Sequence, residues 1–375
     1  MKNILVLGGG RVGSAIAWDL SKNNSISVAD INQKNLEKIR KKNPKINLIK
    51  EDLSNKKKLQ NLIFNFDLII SAVPGFMGYK TLKTIIENKK NVIDISFFPE
   101  NGLDLNKLAK SNKVTALIDF GVAPGLSNII FGYYDSIFKI DSYECYVGGL
   151  PIKKVLPFEY KAPFSPIDVI EEYIRPARLF ENGQIIIKAP LSEREIINFD
   201  TNEDLEAFNT DGLRSLLFTM SHVADMKEKT LRYPGHAEKI QLLKDIGLFS
   251  QEKKCINGTI IKPIELTAQL LEKEWQLGDG EREFTTMRIV LKNKKKSYEI
   301  NLYDEYDHET NITSMARTTG YTCTAGAALL INNIFKKKGI YTPELIGKEK
   351  KCYDFILDYL KERNINLKTK ITNSL

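Results

Sequence analysis

Histidine and cysteine are scarce in this chain of 375 residues, with three of the first and four of the second. Cys145, Cys255, Cys323 and Cys352 lie far apart and form no metal or redox spacing, so reduced, mostly buried thiols are expected. His222, His236 and His308 form no HxxxH pair. No metal site is expected. No apolar run approaches the ~18 residues that a membrane-crossing helix needs, so no membrane partner is expected. The N-terminus, MKNILVLGGG, passes from a short apolar run straight into glycines. It reads as a strand rather than a signal peptide, and a cytoplasmic protein is expected. The net charge is +8, but its lysines are scattered in short runs at 56–58, 294–296 and 336–338. They are not interleaved with aromatics, so no nucleic-acid partner is expected. Repeats and low-complexity tracts are also missing.

What is present is ordinary for a soluble globular protein: 42% apolar and 27% charged residues. The length suggests two domains. The run Ile4–Leu7 is followed by GxGxxG, with glycines at Gly8, Gly10 and Gly13. A strand precedes the motif and helical spacing follows it at Val12, Ala15, Ile16 and Leu20, the context in which it binds a dinucleotide. Gly8 permits the tight turn, Gly10 lets backbone N–H groups approach a pyrophosphate, and Gly13 lets the helix pack on the strand. The helix N-terminus favours the anionic phosphates. A second strand, Ile26–Ala29, ends at Asp30, 22 residues after Gly8. That carboxylate suits ribose hydroxyls and repels a 2′-phosphate, so NAD is expected rather than NADP. Arg11, Val12, Ile31 and Asp52 are further cofactor-lining candidates.

The alternation continues with strands at 47–50, 67–71, 91–96 and 114–118. Ala72, Val73 and Pro74 form a loop at the end of one of them, where an open parallel sheet lines its ligand crevice. The expected fold is therefore α/β, a Rossmann-type doubly wound parallel sheet. After its sixth strand comes IDFGVAPGLSN, residues 118–128. This stretch is either a linker out of the domain or an active-site floor. Beyond residue 130 the pattern is mixed α+β with a largely antiparallel sheet. Strands at 184–188 and 194–197 read as paired, 284–291 and 298–303 read as a hairpin, and helices are expected near 165–174, 211–222, 236–246 and 263–274. A long helix rich in small residues should cover 313–335 and a charged one 343–364. Three segments suit either plain loops and caps or a site: Lys161–Pro166 with Tyr173–Arg178, Thr230–His236, and Met315–Gly320.

In this order, Gly8–Gly13, Ile118–Gly125, Gly148–Pro151, Thr230–His236 and Met315–Gly320 resemble the saccharopine dehydrogenase superfamily over nearly the whole chain. The resemblance implies a dinucleotide-binding domain from 1–122 and 315–375, and an inserted substrate and dimerisation domain at 123–314. It implies hydride transfer at a carbon bearing an amine, a small amino-acid substrate and a cytoplasmic homodimer. Glutamate-forming members carry an acid in the turn, as GLDPG. Ala123 stands there in this chain, and GVAPG together with Asp30 resembles the lysine 6-dehydrogenase branch. The expected activity is NAD-dependent oxidative deamination of the ε-amine of L-lysine. The alternatives are a glutamate-forming saccharopine dehydrogenase, a carboxynorspermidine-type reductase, or a protein that binds the dinucleotide without turnover.

Such chemistry needs a group that exchanges protons near the working pH. Asp119, His236 and Lys161 are the candidates. Gly121, Ala123, Pro124 and Gly125 would let the backbone pass close to substrate and nicotinamide. Arg232 or Arg317 would hold the α-carboxylate, and Asp211 or Glu206 the α-amine. Phe164, Ser165 and Tyr233 would line the aliphatic stem, and Ser127 or Asn128 would cap the helix entering the second domain. Arg175, Arg178 and Arg214 are left over as a further cationic clamp, should the substrate carry more carboxylates.

Overall fold

A computed structural model describes residues 1–162, 166–199, 204–278 and 280–373. Its strands are β1 (Asn3–Leu7), β2 (Ser25–Asp30), β3 (Asn47–Lys50), β4 (Leu68–Ser71), β5 (Asn91–Asp94), β6 (Thr115–Leu117), β7 (Ser142–Pro151), β8 (Ala177–Glu181), β9 (Gln184–Lys188), β10 (Glu195–Asn198), β11 (Asp204–Asn209), β12 (Asp225–Arg232), β13 (Lys254–Ile256), β14 (Thr259–Ile261), β15 (Glu283–Lys292), β16 (Lys296–Glu305), β17 (Gly339–Tyr341) and β18 (Leu367–Asn373). Its helices are α1 (Arg11–Leu20), α2 (Gln33–Lys42), α3 (Lys56–Ile63), α4 (Gly75–Glu87), α5 (Asn106–Ser111), α6 (Leu126–Ile137), α7 (Pro166–Ile174), α8 (Leu216–Thr219), α9 (His236–Asp245), α10 (Pro263–Trp275), α11 (Ser314–Ile331), α12 (Pro343–Gly347) and α13 (Lys350–Lys361).

The chain divides into two compact units. The first holds Met1–Ile140, Arg214–Met220 and Met315–Asn366, and the second Asp141–Leu213, Ser221–Ser314 and Leu367–Leu375. Against the expected boundaries at 122 and 315, the helix after the glycine turn belongs to the first unit, as does the short 214–220 segment. The last nine residues belong to the second.

In the first unit the described strands form a parallel sheet in the order β17-β6-β5-β4-β1-β2-β3. Residues 4–7 of β1 and all of β4 are buried, as befits a sheet covered on both faces. One helical layer packs Leu59, Ile63, Leu82, Ile85 and Ile86 against Leu5, Leu7, Ile69 and Val92. α2 and α3 start at Asn32 and Asn55, whose side chains accept from Lys34 and Lys58 backbone N–H groups. Beyond the six strands read from the sequence, the sheet has a seventh: β17 pairs with β6. Three residues are too few to carry a readable period. The single helix expected over 343–364 is two, broken after Gly347.

The second unit has a mixed sheet in the order β10-β11-β12-β7-β15-β16-β18, with β8 joining β12 and β9 joining β8. The expected hairpin over 284–303 is present as β15 and β16. The expected pairing of 184–188 with 194–197 is not: β9 pairs with β8, and β10 with β11. Of the helix expected over 211–222, only Leu216–Thr219 is helical, because Arg214 has φ +47 and no α-helix runs through that conformation. Val169, Ile170, Tyr173, Phe208, Ile240 and Trp275 form one core of this unit.

Candidate active site

The first unit carries a dinucleotide cradle. Gly8 has φ +99, and a Cβ there would stand 2.4 Å from the Ala72 carbonyl oxygen. A Cβ on Gly13 would meet the Gly8 oxygen at 2.0 Å, so only glycine lets α1 lie against the β1 turn. At Gly10 a Cβ would meet nothing within 4 Å. Gly10 is the N-cap of α1 and offers no side-chain cap, and no acid lies in the first turn. This start, unlike those of α2 and α3, presents its N–H groups to a ligand, which suits a pyrophosphate. The Asp30 carboxylate accepts from the Gly9 N–H at 2.7 Å and the Asn32 N–H at 2.6 Å, and from Asn35 Nδ2 at 3.2 Å. It is thereby fixed at the end of β2, and Ile31 beside it is 63% exposed. These residues fit a nicotinamide dinucleotide. Arg11 and Val12 begin α1, and Ala72, Val73 and Pro74 follow β4. Asp52 holds its own turn through the Ser54 N–H and hydroxyl, and the hydroxyl above all lowers its pKa.

At the C-terminal ends of β5 and β6 lies a buried charged group. Asp119 has φ +57, and its Oδ1 accepts from Arg214 Nε at 3.0 Å and lies 2.8 Å from Nη2 in the same ion pair. Both side chains are about 5% exposed. Arg214 also donates to the Phe98 carbonyl and lies over the rings of Phe97 and Phe98. Asp94, at the end of β5, is fully buried among Ser71 and Ser96. Burial pushes its carboxyl up to about 7, and the charge of Asp119 adds to this while the two serines offset part of it. The turn after Asp119 closes through Gly121 N–H to Pro124 O, with a cis Ala123–Pro124 bond. Gly125 has φ +142, and a Cβ there would meet the Gly121 oxygen at 1.8 Å. Gly125 itself starts α6, correcting the expectation that Ser127 or Asn128 caps it. Ser127 donates to Asn128, and Asn128 to the buried Glu344. Arg317, also in this unit, donates to the Arg363 carbonyl.

The second unit holds Lys161, Asp211, Arg232, Tyr233 and His236. His236 has its protons fixed by its neighbours. Phe158 O can only accept, so Nδ1, at 2.9 Å, carries the proton. Nε2 then accepts from the Tyr173 hydroxyl at 3.0 Å, whose oxygen in turn accepts from Arg232 Nε at 3.0 Å. Burial, with the Arg232 charge beside it, lowers the His236 pKa to about 3. His236 is thus a neutral, fully buried anchor, which corrects its expected role as an acid/base near neutral pH.

The remaining candidates of this unit also have internal partners. Arg232 donates to Leu231 O, Tyr160 and Glu172, which takes up the guanidinium that was expected to hold a substrate carboxylate. Asp211, expected at the α-amine, is held by Arg178 through Nε at 2.9 Å and Nη2 at 2.8 Å. The Tyr233 hydroxyl donates to Pro151 O, and Lys161 Nζ to Glu274 O. Glu206 pairs across the ladder with Arg232, and its Oε2 is buried without a hydrogen-bond partner. Phe164 and Ser165 lie outside the described residues. Among the described residues no cluster could hold a metal, and no helix is long and apolar enough to cross a membrane.

Sequence reasoning missed Asp94, which reads as one more strand residue, and the part played by Arg214. The one local signal for Asp94 is its place as a strand-end aspartate flanked by apolar residues; nothing local marks Arg214.

Residues 4–117 match the family model described as the saccharopine dehydrogenase NADP binding domain, and residues 121–365 the saccharopine dehydrogenase C-terminal domain. The chain is 26% identical over 268 residues to the mitochondrial alpha-aminoadipic semialdehyde synthase of Mus musculus, a match covering 67% of this chain and 29% of that protein. It is 21% identical over 458 residues to the saccharopine dehydrogenase (NADP(+), L-glutamate-forming) of Schizosaccharomyces pombe, covering 99% of both. The chain spans less than half the length of the mammalian synthases it matches, 29% in mouse and 48% in Bos taurus. The apo saccharopine dehydrogenase (L-Glu forming) of Saccharomyces cerevisiae shares the fold, with a TM-score of 0.79 at 19% identity over 99% of this chain and 100% of that one.

Proposed function

Because the chain belongs to the saccharopine dehydrogenase family, we propose that it is an NAD-dependent dehydrogenase acting on the ε-carbon of L-lysine. The observation that carries the reading is the cradle at Gly8–Gly13 with Asp30 held at the end of β2. When bound, the dinucleotide supplies the acceptor for a hydride from the substrate carbon. Gly10 and the uncapped start of α1 hold its phosphates, and Asp30 its ribose hydroxyls. Asp30 disfavours a 2′-phosphate, which supports NAD, although the matching family model and the S. pombe relative are described with NADP.

Asp119 takes a proton from the substrate ammonium, which frees the nitrogen lone pair as the C–H bond breaks. Asp119 then releases that proton to solvent, and the resulting iminium carbon receives water, whose proton passes to the freed Asp119 carboxylate. Asp119 returns this proton to the carbinolamine nitrogen, ammonia leaves and takes up the hydroxyl proton as ammonium, and 2-aminoadipate 6-semialdehyde remains. Two features support a substrate with a single carboxylate. Ala123 places no acid in the turn, and Arg178, Arg214 and Arg232 are each committed to an internal carboxylate. The names of the relatives favour a second reading, glutamate-forming oxidation of saccharopine. A homodimer belongs to the same proposal, and its test is sedimentation of the purified chain.

The deciding experiment follows nicotinamide reduction with NAD or NADP against L-lysine, saccharopine, ornithine and diamines. Turnover of lysine with NAD is expected. Turnover of saccharopine alone would replace the first reading with the second.

A further inference from the structure

The segment Arg214–Met220 belongs to the parallel-sheet unit, although the residues on either side of it in the chain build the other one. Its only helix, Leu216–Thr219, has four residues, too few to fix the segment by its own hydrogen bonds. The segment is instead tied down at both ends. At one end, Glu344 of α12 accepts from Ser215 Oγ at 3.1 Å and Thr219 Oγ1 at 2.6 Å. Asn128 of α6 and Thr342 complete the shell of the same carboxylate. Glu344 is fully buried, and every group in this shell is a neutral donor. A buried carboxylate is costly unless hydrogen-bonded, so these donors must stay in place, and the segment stays with them.

At the other end, the Arg214 guanidinium binds two loops at once: Asp119 after β6 and the Phe98 carbonyl after β5. It does so asymmetrically. Nε and Nη2 both reach Oδ1 of Asp119, and among the described residues no donor reaches Oδ2. Lysine could not reproduce this, because the contact uses three nitrogens of one rigid plane.

We propose that Arg214 is a positioning residue for Asp119, that Glu344 anchors the strap carrying it, and that Oδ2 of Asp119 is the oxygen that exchanges the substrate's proton. The proposal rests on the reading of Asp119 as the acid/base group of an amine dehydrogenase.

The test uses the full chain with NAD and whichever amine it turns over. Arg214→Ala, Arg214→Lys, Glu344→Ala and Asp119→Asn are compared for kcat, KM, affinity for NADH by fluorescence, and melting temperature. Misplacing the carboxylate by about 1 Å predicts a fall in kcat of roughly 10²-fold for Arg214→Ala. KM and NADH affinity should stay within about twofold, since substrate binding is not what is lost. Added guanidinium should restore at least about tenfold of the Arg214→Ala loss by refilling the site, a rescue that a merely structural role would not give. Glu344→Ala should lower kcat in the same direction without touching substrate. In the Asp119→Asn background, Arg214→Ala should add nothing. If Arg214→Ala does not fold, Arg214→Lys decides, since it keeps the charge but not the three contacts. Wild-type kcat in the Arg214 variants, with Asp119→Asn inactive, overturns the positioning role and leaves the functional reading standing. Wild-type turnover in Asp119→Asn overturns the role of Asp119 itself.

Discussion

His236 offers the most quantitative check on the second unit. The folded chain holds it neutral with a pKa of about 3, against the ordinary imidazole value of 6.5. Between those two values the unfolded chain binds the extra proton and the folded chain does not. Stability contributed by this site is therefore intact above pH 6.5 and lost as pH falls toward 3. The full gap is worth roughly 5 kcal/mol, and the part lost between pH 8 and pH 5 is roughly 2 kcal/mol. The chain has two tryptophans, Trp18 in the first unit and Trp275 in the second, and the Trp275 ring centroid lies 6.3 Å from that of His236. In a Trp18→Phe background, Trp275 fluorescence follows urea unfolding of the second unit at each pH. His236→Asn keeps a donor toward Phe158 O and removes the titration. The variant starts less stable by about 1–3 kcal/mol, because the Tyr173 hydroxyl loses its acceptor. The parent should lose about 2 kcal/mol more than the variant between pH 8 and pH 5. Equal pH slopes in parent and variant would refute the buried neutral imidazole.

Asp94 should behave with the opposite sign. Its folded pKa is about 7 against 3.8 unfolded, so the folded state holds the proton more tightly and stability falls as pH rises from about 4 to 7. Asp94→Asn should raise the melting temperature at pH 8, with a gain of about 2–4 kcal/mol that disappears near pH 4; a variant less stable at both pH values would contradict the assigned burial. For the cofactor, Asp30→Ser should lower NAD affinity by roughly tenfold and narrow the preference against NADP, both measured by direct binding of the reduced dinucleotides. An unchanged preference would remove Asp30 from dinucleotide selection.

The dinucleotide cradle was legible because its logic is local. Gly8, Gly13 and Asp30 are fixed by a turn, a close helix contact and a strand end, each of which leaves a mark at short spacing. The parallel strands were legible because burial on both faces writes continuous apolar runs such as Leu68–Ile70. What was not legible depends on contacts far along the chain. Gly339–Tyr341 is a strand only because β6 offers it an edge. Arg214 and Asp119 are 95 residues apart, and Glu344 meets Ser215 across 129. His236 was misread for the same reason. The residue type suggested proton transfer, but its protonation is set by burial and by Arg232, and neither is written near it. Asp211 and Arg232 likewise read as ligands for a substrate because their internal partners, Arg178 and Glu172, lie 33 and 60 residues away.

The central claim concerns the nitrogen that leaves. The most direct measurement incubates the purified chain with NAD and L-lysine, and in parallel with saccharopine, and assays ammonia and glutamate against reduced nicotinamide. One ammonia per nicotinamide reduced from lysine, with no glutamate, is the predicted result. Glutamate released from saccharopine, with lysine inert, would contradict it.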